Sequence, residues 1–170
     1  MTEFETLNRN LIEVKTKIYN KLTLNISEPK NEYEGTEYDA CQFELNGIKI
    51  ISRSSKITPK KVGQFVTFWK RNKNGETEPY SENDSFDFYV INAKSGDRFG
   101  QFVFPKSELI NKGFVTSEKK DGKRGFRVYP IWNKTLKKQA EKTQKWQLNY
   151  FYEINKATNL KDVSKLYNEK

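Results

Sequence analysis

The sequence predicts a mixed α/β (α+β) fold, in which helices at the two ends of the chain flank a central mixed β-sheet. Three patterns support this: a helical apolar repeat near the start, alternating apolar residues on both sides of an Asn-Gly turn, and a second helical repeat after several further strands. A chain of 170 residues suits one domain with one core. We therefore treat residues 1–170 as a single domain, with its core at about residues 4–155 and a tail at 156–170.

The first elements are a helix and a β-hairpin. Apolar residues recur at spacings of three and four over residues 4–24, which predicts an amphipathic helix. Residues 38–45 alternate between polar and apolar side chains, as a half-buried strand does. Asn46-Gly47 is a strong hairpin turn signal, so we expect a second strand to return from Ile48 to about Arg53.

Further strands and loops precede a closing helix. Runs of β-branched and aromatic residues predict strands at residues 64–71, 86–91, 99–104 and 125–131, with a long polar loop at 72–84. A short helix is expected through Lys112, with Ser107 as its N-cap and Gly113 as its end signal. The closing helix is predicted over residues 134–155, and the residues from 159 onward either add a short helix or fray.

The histidine and cysteine content excludes several catalytic classes. The chain has no His, which excludes Ser-His-Asp and Cys-His catalysis and His-ligated zinc. Its one cysteine, Cys41, excludes an internal disulfide and a zinc ribbon, and the apolar alternation around it favours a small core residue. No apolar run approaches the ~20 residues that span a bilayer. We therefore expect a cytoplasmic protein with no membrane partner.

Positive charge is concentrated in two blocks. The formal net charge is +9, the stretch from Arg53 to Lys73 has seven basic residues and no acid, and a second basic block spans residues 119–145. Interspersed charges would favour solubility alone, whereas blocks create a field that attracts polyanions. We therefore predict binding to the phosphates of DNA or RNA. The candidate contact residues are Arg53, Lys56, Lys60, Lys61, Lys70, Arg71, Lys123, Arg124 and Arg127.

Parts of these blocks allow more than one interpretation. Arg124-Gly125-Phe126-Arg127 is either a pair of arginines that hold phosphate oxygens beside a glycine or an ordinary loop that enters a strand. Trp69, Tyr129 and Trp132 either stack on bases or belong to the core, and we favour the core for Trp69. The same charge would also serve a module that binds an acidic protein partner.

Five separate blocks of the sequence match, in the same order, the pattern of a known family. They are residues 53–71, Phe86-Asp87-Phe88, residues 100–107, residues 122–130, and Thr143 to Gln147 with Tyr150-Phe151. Over roughly residues 30–155 they resemble the MepB-like family. The resemblance implies a restriction-endonuclease-like fold, a mixed sheet flanked by helices, in which the two basic blocks flank one cleft. In that superfamily an acid on the first hairpin strand and an acid-x-Lys pair on the second hold Mg²⁺ and a water, and the Lys stabilises developing charge.

Carried over to this chain, the resemblance implies Glu37 and Asp39 as metal ligands and Glu37, Asp39 and Lys56 as catalytic residues. Glu34 precedes them as a further candidate acid. If Lys56 is the superfamily Lys, Ser54 occupies the position of the second-strand acid, and if Arg53 is the basic member, Ile51 occupies it. In both cases one metal ligand is missing, unless Asp87 or Glu44 replaces it, and Mg²⁺ is expected only if the protein is a nuclease. We therefore rank nucleic-acid binding first, a Mg²⁺-dependent nuclease with an atypical metal site second, and binding of an acidic protein third.

Overall fold

A computed structural model describes residues 8–168, except for the side chains of residues 33–35. Helix α1 (Arg9–Val14) begins where the Asn8 side chain accepts a hydrogen bond from the Leu11 backbone amide. The helical path continues through a π turn and a 3₁₀ turn as far as Leu22, and Thr23 ends it in the left-handed conformation. Most of the predicted first helix is therefore present, whereas its first four predicted residues, 4–7, lie outside the described residues.

Eleven strands follow among the described residues, in three sheets. In chain order they are β1 (Lys30–Asn31), β2 (Cys41–Leu45), β3 (Ile48–Ser54), β4 (Lys56–Ile57), β5 (Gln64–Thr67), β6 (Trp69–Arg71), β7 (Thr77–Pro79), β8 (Phe88–Ser95), β9 (Arg98–Pro105), β10 (Gly125–Val128) and β11 (Phe151–Glu153). The central sheet has the order β1-β2-β3-β8-β9-β11, with β3 and β8 parallel and every other pair antiparallel. A smaller antiparallel sheet has the order β10-β5-β4, and β6 and β7 form a hairpin.

Three further helices complete the fold: α2 (Lys106–Asn111), α3 (Lys138–Gln147) and α4 (Leu160–Asn168). The prediction that Ser107 caps α2 is wrong: Pro105 is extended and occupies the N-cap, so the helix begins one residue before Ser107. The predicted core also stops too early. Residues in the supposed tail form α4, which buries Val163 and Tyr167 against the central sheet.

The two faces of the central sheet carry separate hydrophobic clusters. On one face, α1, its continuation and α4 pack on residues such as Phe43 and Phe88. On the other face, the smaller sheet and Phe68 pack on Tyr89, and α3 adds Trp146. The predicted class, a mixed sheet with an early hairpin and helices at both ends, is confirmed by this arrangement. Within the described residues, no helix combines the length and the apolar character that crossing a bilayer requires.

Candidate functional site

One group of candidate site residues lies at the end of β3. Glu37 lies near the end of a 3₁₀ turn at residues 33–38, Asp39 follows that turn, and Lys56 begins β4. Lys56 Nζ lies 3.4 Å from Glu37 Oε2 and 5.0 Å from the centre of the Tyr38 ring. The expected position of the two acids within the first hairpin strand is wrong, because that strand begins only at Cys41. The fold nevertheless brings Glu37, Asp39 and Lys56 together.

The Asp39 carboxylate lies in a more enclosed setting than Glu37. Burial raises the pKa of Asp39, and a hydrogen bond from Ser54 and the charge of Lys56 oppose that rise. The start of α1 packs beside it: Asn8 Nδ2 donates to the Asp39 carbonyl oxygen (3.3 Å), and Asn10 Nδ2 donates to Ser54 Oγ (3.1 Å). Sequence reasoning missed these two asparagines, because nothing distinguishes them from ordinary polar positions on an amphipathic helix.

This donor set does not fit Mg²⁺. The ion requires several carboxylate or phosphate oxygens in near-octahedral array. Here Asp39 favours its protonated form more than a free Asp does, Glu37 is paired with Lys56, and a hydroxyl stands at position 54. Among the side chains that the structure describes, which do not include Glu34, no three His, Cys, Asp or Glu residues converge as a metal site.

Arg53, a predicted phosphate contact, is a buried structural residue. Its side chain is only 3 % exposed, and its Nη2 donates to Glu32 Oε2 (3.0 Å) and to the Trp69 carbonyl oxygen (3.4 Å). Its Nε and Nη1 atoms form no hydrogen bond with another described residue. Burial raises the pKa of the nearby Tyr80 to about 12, against the opposing influence of the Arg53 charge. Because a phosphate cannot reach this guanidinium, the prediction for Arg53 does not hold.

The β4–β5 connection is the most exposed part of the first basic block. We define the basic hairpin as residues 56–63, which comprise β4 and the loop to β5. Lys56, Lys60 and Lys61 are exposed on it. The acid-free run of sequence continues beyond it to Gly75. Of the three lysines, only Lys56 has an ion-pair partner among the described residues, and that pair is exposed on both sides (45 % for Lys56 and 78 % for Glu37).

Arg127 supports this hairpin from β10. Its Nε donates to the Val62 carbonyl oxygen (3.1 Å), and its Nη2 donates to Thr58 Oγ1 (2.8 Å) and to the Gly63 carbonyl oxygen (3.0 Å). Gly63 has a φ of +85°, and a Cβ there would lie 2.7 Å from ring atoms of Tyr129. Glycine is therefore required where the loop turns back against β10. Arg127 holds the hairpin in place, and its Nε and Nη2 atoms donate to protein oxygen atoms.

The remaining candidates surround the β6–β7 hairpin, and most of them are engaged. Lys70 Nζ lies 2.6 Å from Asp84 Oδ1 and 3.4 Å from Glu78 Oε1. Arg124 Nη2 donates to the Thr77 carbonyl oxygen (3.1 Å), and Arg71 donates to the Gly75 carbonyl oxygen. Lys123 is exposed, with its Nζ 5.2 Å from the centre of the Phe114 ring. Both arginines of the Arg124-Gly125-Phe126-Arg127 segment thus bind main-chain oxygens, as in an ordinary structural loop.

The aromatic residues of the basic blocks are only partly accessible. Trp69 is half-buried, and the Arg71 guanidinium carbon lies 5.6 Å from the centre of its ring. Trp132 is half-buried against Phe151. Neither is a fully buried core residue, and an arginine lies against each ring, Arg71 at Trp69 and Arg98 at Trp132. The assignment of Trp69 to the core is therefore wrong, because Trp69 lies outside both hydrophobic clusters, whereas Trp132 packs against the cluster that contains Phe68.

A second basic surface lies on α3. Lys138, Lys142, Lys145 and Lys112 line a shallow groove with the half-buried Trp146, and no carboxylate lines it. The groove follows the β10 side of the smaller sheet, because Gln147 of α3 donates to the Arg127 carbonyl oxygen (2.9 Å). Lys56 lies on β4, at the opposite edge of the same sheet. Strand β5 therefore lies between Lys56 and the α3 groove, whereas Arg127 of the second basic block contacts the β4–β5 connection of the first directly.

Comparisons with known proteins place the chain among structural relatives. A family model described as MepB-like matches residues 32–153. A crystal structure of MepB superposes with a TM-score of 0.75 and 33 % sequence identity, covering 92 % of this chain and 99 % of that one. A bacterial homing endonuclease superposes with a TM-score of 0.47 and 20 % identity, covering 85 % of this chain and 88 % of its own, a level that supports no inference. Among curated proteins no match is found.

Proposed function

The chain belongs to the MepB-like family, and from this premise we propose that it binds nucleic acid and that the basic hairpin is its principal phosphate-contacting element. The observation that carries the proposal is the exposure of Lys56, Lys60 and Lys61 on an anchored loop within an acid-free stretch of sequence. Phosphate contacts dominate the affinity of proteins for nucleic acids, and free lysines supply them.

The distribution of engaged and free cations supports the hairpin over the other candidates. A cation that already donates to a carboxylate or carbonyl must break that contact before it binds phosphate, so its contribution to affinity is small. Arg53, Lys70, Arg124 and Arg127 are in this position. Lys60 and Lys61 are exposed, and their side chains form no ion pair with another described residue. Among the candidate residues, the exposed cations without a described ion pair or carbonyl contact are therefore Lys60, Lys61 and Lys123, and two of these three are neighbours on the basic hairpin. The α3 groove adds further exposed lysines outside the candidate set.

The same geometry supports binding rather than metal-dependent cleavage. A nuclease of the implied superfamily uses a metal ion to polarise the phosphodiester and to activate water. The carboxylates near Lys56 do not form a suitable ligand set among the described residues, and Ser54 stands where the second acid is expected. We therefore do not propose a Mg²⁺-dependent nuclease, which remains the alternative that the sequence resemblance implied.

The proposal is tested with labelled DNA and RNA and a pair of matched variants. Lys60→Glu/Lys61→Glu reverses two charges on the hairpin, and Lys161→Glu/Lys165→Glu reverses two exposed charges on α4, so the net charge changes equally. Fluorescence anisotropy over a salt series should give a linear fall of log affinity with log salt. We expect the hairpin variant to bind about 100-fold more weakly and to show a shallower slope of log affinity against log salt, by the equivalent of about two phosphate contacts. The α4 variant should bind nearly as wild type does.

Two outcomes would contradict the proposal. The first is an absence of binding to any DNA or RNA probe at low salt. The second is an equal loss in the two double variants, since that result would show a response to net charge and not to the hairpin. Co-purification of an acidic protein that survives nuclease treatment, together with no retention of nucleic acid, would instead support the protein-partner interpretation of the charge.

A further inference from the structure

The basic hairpin also exposes apolar side chains. Ile57 is 61 % exposed and Val62 is 44 % exposed, and these are two of the four large hydrophobic residues exposed in the described part of the chain. Between them lie the exposed Pro59, Lys60 and Lys61. Ile57 ends strand β4 and Val62 lies in the loop that follows, and neither side chain gains the burial that its residue type favours. Two exposed apolar residues among lysines indicate a ligand that carries negative charge on its surface and apolar groups in its interior.

The loop that carries these side chains is held rigidly at its base. Arg127 donates to the carbonyl oxygens of Val62 and Gly63 and to Thr58 Oγ1, and Gly63 packs against Tyr129. On the opposite side, Ser55 Oγ donates to Gln64 Oε1 (2.7 Å), and Gln64 Nε2 donates to the Lys94 carbonyl oxygen (3.1 Å). Ile57 and Val62 are therefore presented by a fixed support, which lowers the entropy lost when they become ordered in a complex.

We propose that Ile57 and Val62 form a wedge that inserts between base pairs of duplex DNA from the minor groove, while Lys56, Lys60 and Lys61 bind the flanking phosphates. This inference rests on the proposed function and adds the mode of binding. Proteins that bend DNA from the minor groove insert Ile, Leu, Phe or Pro side chains at a base step and hold the backbone with Lys or Arg. The hairpin combines both residue types on one short loop.

The chemistry favours DNA over an anionic membrane. Membrane-surface binding relies on a wide apolar face, usually of an amphipathic helix, in addition to basic residues. Ile57 and Val62 are two side chains on a short hairpin and do not form such a face. Pyrimidine–purine steps such as TA unstack at the lowest cost, so we expect the wedge to prefer duplexes that contain them.

The test uses the full chain and a duplex in which 2-aminopurine replaces the adenine of a central TA step. This base fluoresces more strongly when it is unstacked. Dyes at the two ends of the same duplex report bending by energy transfer. Ile57→Ser/Val62→Ser removes the wedge, and Leu136→Ser removes another exposed apolar side chain (86 % exposed) far along the chain as the matched control. Each variant changes only surface residues, and its fold is checked by circular dichroism.

We expect wild type and Leu136→Ser to raise the 2-aminopurine signal and to bend the duplex. The wedge variant should lose both signals, bind roughly tenfold more weakly, and keep the wild-type salt slope because its lysines are intact. Binding by wild type without unstacking, or an unchanged signal in the wedge variant, overturns the wedge and leaves nucleic-acid binding standing. A wedge variant that loses sedimentation with phosphatidylserine vesicles but keeps the DNA signals assigns Ile57 and Val62 to a membrane and also overturns it.

Discussion

The basic hairpin and the cations around the β6–β7 hairpin differ in what their side chains do, although most of them come from the same basic stretch of sequence. On the basic hairpin, Lys60 and Lys61 are exposed and form no described ion pair. Around β6 and β7, Lys70 is paired with two carboxylates and Arg124 donates to a carbonyl group. The first group creates a field that a ligand can use, and the second holds the protein together.

The difference shows that a count of basic residues does not measure a binding surface. The opposite charge of a neighbouring carboxylate cancels most of the field of a cation at longer range. Salt screens what is left beyond about a Debye length, ~8 Å at physiological salt. Arg53 illustrates the limit, since it lies within the basic stretch and yet is buried beside Glu32. The comparison is therefore between cations that stabilise the fold and cations that remain available, and mutations can test it directly.

The largest effect is expected for Arg53→Ala. This change removes a buried guanidinium from β3, leaves Glu32 without its cationic partner although Gln42 still donates to it, and opens a cavity where the Arg53 side chain was. We expect a loss of about 3 kcal/mol in the free energy of unfolding, reduced from the fully buried case because Glu32 is partly exposed. Urea denaturation measures it, with Lys61→Ala as a surface control that should stay within about 0.5 kcal/mol. Equal stability of the two variants would contradict a structural role for Arg53.

Arg127→Ala should have the next largest effect. It removes hydrogen bonds to four groups of the hairpin, and we expect about 2 kcal/mol of destabilisation, because Arg127 is only partly buried and water competes for these bonds. Hydrogen exchange at residues 58–63 should become faster. Arg124→Ala removes a bond to one carbonyl group and should cost less. If Arg127→Ala left exchange in the hairpin unchanged, the loop would be held by its own backbone and not by β10.

Much of the fold follows from local patterns in the sequence, and the failures have physical causes. The Asn46-Gly47 turn and the strands on both sides of it are present, with Asn46 and Gly47 both at positive φ. The predicted closing helix 134–155 is too long at both ends: it begins at Lys138 and ends at Gln147, and Phe151–Glu153 form an edge strand on β9. Gly100 permits this pairing because a Cβ there would lie 2.3 Å from the Phe151 ring. Local periodicity carries no information about a contact between residues so far apart in the sequence.

The site was less predictable than the fold. The resemblance brought Glu37, Asp39, Ser54 and Lys56 to attention, and the structure places them together. The sequence could not show which cations are free, because each engaged cation is bonded to a group that is distant in sequence or is a main-chain carbonyl. Arg127, for example, is 65 residues from Val62, whose carbonyl oxygen it binds. The exposure of Ile57 was equally hidden, since its residue type favours burial.

Ser54→Asp would test whether Lys56 is available to a ligand. Lys56 is exposed like the free cations of the basic hairpin, but it is paired with Glu37 as an engaged cation is. A carboxylate at position 54 lies beside Asp39 and within the field of Lys56. Without metal we expect about 1–2 kcal/mol of destabilisation from the buried like-charge pair, and DNA affinity lower by a few-fold as Lys56 is neutralised. Addition of Mn²⁺ should raise the thermal stability of the variant and leave that of wild type unchanged. If wild type responded equally to Mn²⁺, the existing donors would already suffice for a metal site.

The smallest effect is expected for Asp39→Asn, measured as a function of pH. Burial raises the pKa of Asp39 above its value in the unfolded chain, so the folded state binds this proton more tightly. The stability that the protonated form contributes is therefore fully present below the unfolded pKa and is lost as the pH rises through the folded pKa. The amide that replaces the carboxyl group does not titrate, and asparagine tolerates the φ of +50° found at this position. The stability of the variant relative to wild type should therefore increase as the pH rises from acid to neutral, as measured by the midpoints of urea denaturation. If the stability of the variant relative to wild type instead decreased with rising pH, the attraction between Asp39 and Lys56 would outweigh the effect of burial. Lys56 would then count among the engaged cations and not among the free ones.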